Sequence, residues 1–177
     1  MLNVANFTPE QKRIALEISA CFGGNLDGPF AVWIRVPEIA EKASRLTTLL
    51  RIHGKLERRL FELMVLTVAR HYRAQFEWAA HEPMALKEGI PEKTVETIRT
   101  GGVPKFLRQD EQTVYDVVTE INETRTLSRK TYDRALREFG QDLLIELVTA
   151  TGLYSMVAVV LNVFEAPVPS GREPRLS

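Results

Sequence analysis

Cysteine is nearly missing from this chain. Cys21 is the only one, which excludes an intrachain disulfide and any Cys-x-x-Cys redox or zinc pair. Histidine is scarce too. His53, His71 and His81 are the full set, and none falls into a His-Glu-x-x-His or Glu-x-x-His spacing, so no metal site is expected. No run of Lys and Arg resembles a phosphate-tracking stripe, and the formal net charge is zero, so no nucleic-acid partner is expected. Gly-rich phosphate loops and a serine nucleophile elbow are absent as well. The opening MLNVANFTPEQKR lacks the apolar core of a signal peptide. The longest apolar run, Leu153 to Phe164, is broken by Ser155 and Asn162 and is too short to cross a bilayer. A cytoplasmic protein with no membrane contact is the expectation. No segment alternates apolar and polar residues as a half-buried strand would.

Helical periodicity fills the space these absences leave. The 177 residues suit one ordinary domain with a core of its own. Thr8-Pro9-Glu10-Gln11 has the form of a capping box, and the helix it opens should stop before Gly23-Gly24. Asp27-Gly28-Pro29-Phe30 is a turn signal. Pro37 opens a second helix that stops near Gly54. A long apolar helix should run from about Leu56 to Arg70, with the next segment continuing it or restarting after a bend and ending at Gly89. Pro91 starts a short helix ending at Gly101-Gly102. Residues 109–125 and 128–139 form an amphipathic pair with Ser128 as cap, and Gly140 closes the second member. The last helical region, 141–165, should break near Gly152. The segment from Ala166 onward, with three prolines, reads as an irregular tail after a helical domain over residues 1–165. The predicted class is all-α. A faint internal echo, LFELMVL (60–66) against LIELVTA (144–150), allows a duplicated helical hairpin or a coincidence of two Leu-rich helices.

Three side chains carry the chemical interest. Glu62 is the only ionisable residue in LFELMVLTVA (60–69), a segment apolar around nearly its whole circumference. A carboxylate there must be paired, hydrogen-bonded or neutral. It either shares a narrow exposed stripe with Arg58 or faces an internal polar pocket. Glu77 and His81 lie four residues apart on one helix face, where a carboxylate can fix an imidazole tautomer and raise its basicity. The same spacing also occurs on ordinary helix surfaces. Trp78 beside them offers a flat apolar wall, and the alanines between leave room for a small molecule. Arg51, Arg70 and Arg73 are near enough in sequence to receive an anion. Pro83 should kink the helix near Glu82 or force a restart.

The stretch ELMVLTVARHYRAQFEWAAHEPMALKEGIP, 62–91, resembles the core of the carboxymuconolactone decarboxylase family, which shares its fold with the alkylhydroperoxidase D proteins. The likeness extends through GPFAVWIRVPEIAEKASRL (28–46) and through 131–169, most of the chain. In the peroxidase branch a Glu is followed by Cys-x-x-Cys and by a His four residues after the second Cys. By spacing, Glu62 and His81 stand in the places of that Glu and His, with Ala74 and Glu77 where the cysteines would be. Peroxide reduction by disulfide cycling needs both thiols, so a thiol peroxidase is disfavoured. The resemblance implies a cofactor-independent lyase of aromatic-compound catabolism. Such an enzyme releases carbon dioxide from a small carboxylated lactone or related organic acid. On that implication the catalytic residues are His81, Glu77 and Glu62, with Trp78, Arg70 and Arg73 on the substrate. A related isomerase or hydrolase, or an oligomeric binding protein without turnover, is the alternative. The family's assembly into trimers or hexamers implies a homo-oligomer, for which Leu153 to Phe164 would suit an interface or a core equally.

Overall fold

The computed structural model describes residues 4–24 and 26–176, and its regular structure is helical throughout those residues. A 3-10 turn, Val4–Asn6, precedes eight α-helices: α1 Pro9–Cys21, α2 Pro29–Trp33, α3 Pro37–Ile52, α4 Arg58–Tyr72, α5 Gln75–Lys87, α6 Glu92–Arg99, α7 Gln109–Thr124 and α8 Arg129–Val163. The sequence signals at the helix starts do what their chemistry allows. Thr8 Oγ1 accepts from the Gln11 amide at 3.2 Å while Gln11 Oε1 accepts from the Thr8 amide at 2.9 Å. Ser128 Oγ accepts from the Thr131 amide at the head of α8.

The centre of the molecule is α4. Every residue from Arg59 to Ala69 is buried, because α5, α7 and α8 enclose it. Its head is fixed to α7 by Arg59, which pairs with Glu111 and, at 2.7 Å, with Asp110. The second part of α8 runs parallel to α4. Glu146 accepts from the amides of Lys55 and Leu56 at 3.0 and 2.8 Å just before α4 begins, and Asn162 Nδ2 donates to the Tyr72 carbonyl at 2.7 Å where α4 ends. A second, smaller core joins α1, α2 and α3 to the end of α8 through Ile14, Ile18, Phe30, Trp33, Val157 and Leu161.

Three expectations need correction. First, α8 does not break at Gly152, and its interruption is at Gly140, whose φ of 73° and ψ of 173° are closed to side-chain-bearing residues. Because the helix then runs on unbroken to Val163, the echo at 144–150 does not lead into a second hairpin. Its glutamate, Glu146, secures the loop before α4. Second, of the kink or restart expected at Pro83, the restart does not occur: α5 continues through it. Third, the apolar run around Leu153–Phe164 belongs to a helix of 35 residues, long and apolar enough by length and composition to cross a membrane. Here one face of that helix builds the core with Leu144, Leu147, Leu153, Tyr154 and Leu161. Its opposite face leaves Ile145, Val148, Met156, Val159 and Val163 exposed.

The tail after Val163 is irregular, as expected, yet it is docked. Leu176 is buried in the main core. Its carbonyl accepts from Gln75 Nε2 at 2.5 Å and its amide donates to Gln75 Oε1 at 3.0 Å. Arg175 pairs with Glu82 at 2.6 Å, and the Arg175 carbonyl accepts from Arg99 Nη1 at 2.7 Å.

Candidate active site

The turn between α4 and α5 is made by Arg73, which adopts the left-handed conformation (φ 53°, ψ 37°) that ends α4. Ala74 follows fully buried, with its amide donating to the Ala69 carbonyl at 2.9 Å. The chain reverses tightly there and lays α5 back along α4. This fold-back brings the side chain of His81 to Glu62. Nδ1 of the ring lies 2.6 Å from Glu62 Oε2 in a buried contact. Arg58 Nη2 stands 2.5 Å from the other carboxylate oxygen, at ion-pair distance. The exposed stripe is therefore overturned, since Glu62 is fully buried, although Arg58 is its partner; Glu62 does not itself line the cavity and meets it only through His81.

Glu77 is placed otherwise than its spacing suggests. It is buried, and neither carboxylate oxygen has a hydrogen-bond partner among the described residues. The imidazole that one turn of helix should have given it is turned to Glu62. Helical spacing makes the Glu77–His81 pair possible, but the carboxylate on the neighbouring helix holds the ring instead.

These contacts divide the protons. Burial works to raise the Glu62 carboxyl, but His81, Arg58 and Arg51 outweigh it and hold Glu62 below the usual carboxylate range. Burial lowers His81, an effect that Glu62 opposes and Arg51 and Arg58 reinforce. The ring is then neutral near pH 7, with Nδ1–H donating to the ionised Glu62 and Nε2 left as the basic nitrogen. Glu77 has only burial acting on it, which pushes its carboxyl well above the ordinary value. Its position in the first turn of α5 favours the charged form by about 0.3–1 kcal/mol, too little to offset full desolvation.

A cavity of about 310 Å³ lies at the seam of the two cores. Glu77 and His81 line it, with Phe30, Trp33 and Leu161 from the smaller core and Tyr154 from the larger. The Tyr154 ring stands edge-on to His81 with 5.5 Å between centroids, and burial keeps its hydroxyl protonated. Arg51, at the end of α3, also lines the cavity and touches Met84 Sδ at 3.2 Å. Among the described residues it makes no ion pair. Space, apolar walls and a few convergent polar groups are the ordinary composition of a small-molecule site.

The remaining predicted substrate contacts lie elsewhere. Trp78 points into the main core and does not line the cavity, and its Nε1 finds no hydrogen-bond partner among the described residues. The aromatic wall is built by Phe30, Trp33 and Phe76. Arg70 lies against Gly101, away from the cavity, and Arg73 is exposed at the α4–α5 turn. The cations that do line the cavity are Arg51 and Arg172. Arg172 and Tyr154 are residues that sequence reasoning missed. Their only signal was that an arginine in a proline-rich tail and a tyrosine in an apolar helix are each out of place.

Comparison with protein families, with characterised proteins and with solved structures found no match for this chain.

Proposed function

We propose that the cavity is the active site of a cofactor-independent enzyme that moves protons on a small organic acid, and that the reaction is decarboxylation of a carboxylated lactone. The observation that carries this reading is the pairing, on one cavity wall, of a buried carboxyl without a hydrogen-bond partner among the described residues with an imidazole oriented by a second carboxylate; burial favours the neutral form of each. Two titratable groups with environments that set their protonation apart form an acid and a base ready at the same pH.

The substrate carboxylate is received by Arg51, the inner cation without a carboxylate partner. The bond from carbon to the departing carboxylate breaks, carbon dioxide leaves, and the electron pair delocalises into the lactone carbonyl. Glu77 supplies a proton to that carbon and becomes a carboxylate in an apolar wall, an unfavourable state. His81, drawing a proton from solvent, restores it. One proton is consumed and one carbon dioxide released per turnover. Glu62 holds the imidazole in the tautomer that leaves Nε2 basic. Tyr154 offers a protonated hydroxyl to the lactone oxygen.

The same proton inventory favours one second reading, isomerisation, in which His81 Nε2 takes a proton beside a carbonyl and Glu77 returns one elsewhere. A homo-oligomer fits both readings, since a second copy could cover the exposed stripe Ile145, Val148, Met156, Val159 and Val163 of α8.

Incubation with carboxymuconolactone, followed by carbon dioxide release and ultraviolet absorbance, separates these outcomes. Gas release that is lost in Glu77→Gln and His81→Ala supports the lyase. An absorbance change without gas supports the isomerase. Saturable binding with neither overturns catalysis.

A further inference from the structure

The segment 166–176 is fastened at both ends and contributes to the cavity lining between them. At its start the Ala166 amide donates to the Leu161 carbonyl at 2.9 Å. At its far end Leu176 is buried and exchanges two hydrogen bonds with Gln75, and Arg175 pairs with Glu82. Between these anchors the chain makes a turn. The Arg172 amide donates to the Pro169 carbonyl at 3.0 Å, and Gly171 takes the positive φ of 77° that the third position of a type II turn demands. The turn delivers Pro169 and Arg172 to the cavity lining. Arg172 is exposed and makes no ion pair among the described residues. Its neighbours on the strap and on the helices below are engaged: Arg175 with Glu82 and Glu96, Arg99 with Glu96. A strap docked at both ends around one guanidinium without an ion pair among the described residues holds an exposed cation at the edge of the cavity.

We infer that Arg172 is the specificity-determining residue that selects anionic ligands at the cavity mouth, binding the carboxylate of an organic acid from the solvent side while Arg51 serves the interior. This rests on the reading of the cavity as an organic-acid site and adds a contact made by the tail. A planar guanidinium and a carboxylate form forked, charge-assisted hydrogen bonds that a neutral ester cannot reproduce.

The test is the binding of two probes, the lactone acid muconolactone and its methyl ester, followed by quenching of Trp33, which lines the cavity. The parent should bind the acid more tightly than the ester. Arg172→Ala should weaken the acid by about tenfold and leave the ester unchanged, and Arg172→Lys should recover part of the loss. Gly171→Ala meets no atom within 4 Å but strains the turn, and it should show the same selective loss with the cavity walls intact. Raised ionic strength should weaken acid binding more in the parent than in Arg172→Ala. Equal weakening of acid and ester would make the strap a mere cover and overturn the inference. So would an unchanged preference for the acid in Arg172→Ala, which leaves the site reading standing. A parent that binds the ester as well as the acid, or binds neither, removes the site reading and this one together. Muconolactone lacks the carboxylate that the proposed reaction removes, so these results do not depend on turnover.

Discussion

His81 reaches across to Glu62, 2.6 Å away on the neighbouring helix, and not to Glu77 one turn behind it. The acid that orients the ring and the acid that faces the cavity are therefore different residues, with pKa values displaced in opposite directions. Their substitutions should fail differently.

For the ring, His81→Ala should lower kcat by about 10²-fold or more with the fold intact. Glu62→Gln removes the charge that raises the imidazole pKa. The acidic limb of the pH–rate profile should therefore move to lower pH, with kcat reduced. A limb that stays in place in Glu62→Gln would separate His81 from the titration.

Glu77→Gln should abolish turnover and yet stabilise the protein as pH rises. Its folded carboxyl lies well above the ordinary 4.5. The folded state therefore keeps a proton that the unfolded chain loses from about pH 4.5 upward, and stability falls as pH rises until the folded pKa is passed. His81 slopes the other way: its folded pKa lies below 6.5, so its contribution is lost as pH falls below that value. Thermal melts across pH 5 to 9 should show the decline on the alkaline side flattened in Glu77→Gln. The acid-side decline should flatten in His81→Gln.

Arg59 is a stability residue with no path to the cavity. Its replacement by Ala strands Glu111, itself buried, without its cation. A loss of about 3 kcal/mol in urea unfolding is expected. Arg59→Met paired with Glu111→Leu should recover much of it.

Gly140→Ala tests the interruption of α8. A Cβ there meets nothing within 4 Å, so the cost is the backbone strain alone. About 1–3 kcal/mol is expected from the φ of 73° and ψ of 173°. Turnover per folded molecule should not change.

Much of this architecture was legible because it is local. The Thr8 box, the Ser128 cap and the stops at Gly23, Gly54 and Gly140 need only nearby atoms, and the periods between them sufficed for an all-α reading. Glu62 and His81 stood out because polar groups in apolar or alanine-rich helices need partners. Which partner they take depends on how α5 folds back on α4, and helical spacing proposed Glu77 with equal chemical reason. Trp78 looked like a pocket wall because it flanks the Glu77 and His81 face, but it packs into the main core, while Ala79 and Ala80 do line the cavity, as their small size suggested. Pro83 was read as a kink or a restart because its missing amide hydrogen weakens a helix; the restart does not occur, since α5 runs through it to Lys87. The place of Arg172 was beyond local reasoning, since it is set by anchors at residues 75, 82 and 99.

The brackets at the two ends of α4 work as a gauge. Glu146 and Asn162 are sixteen residues apart, as are Leu56 and Tyr72. Along parallel helices that is about 24 Å in each case. Adding or deleting one residue in either span would rotate the following side chains by about 100° and put one bracket out of reach. Length variation in this protein should therefore collect in the turns around residues 24 and 103, with none in 56–72 or 146–162.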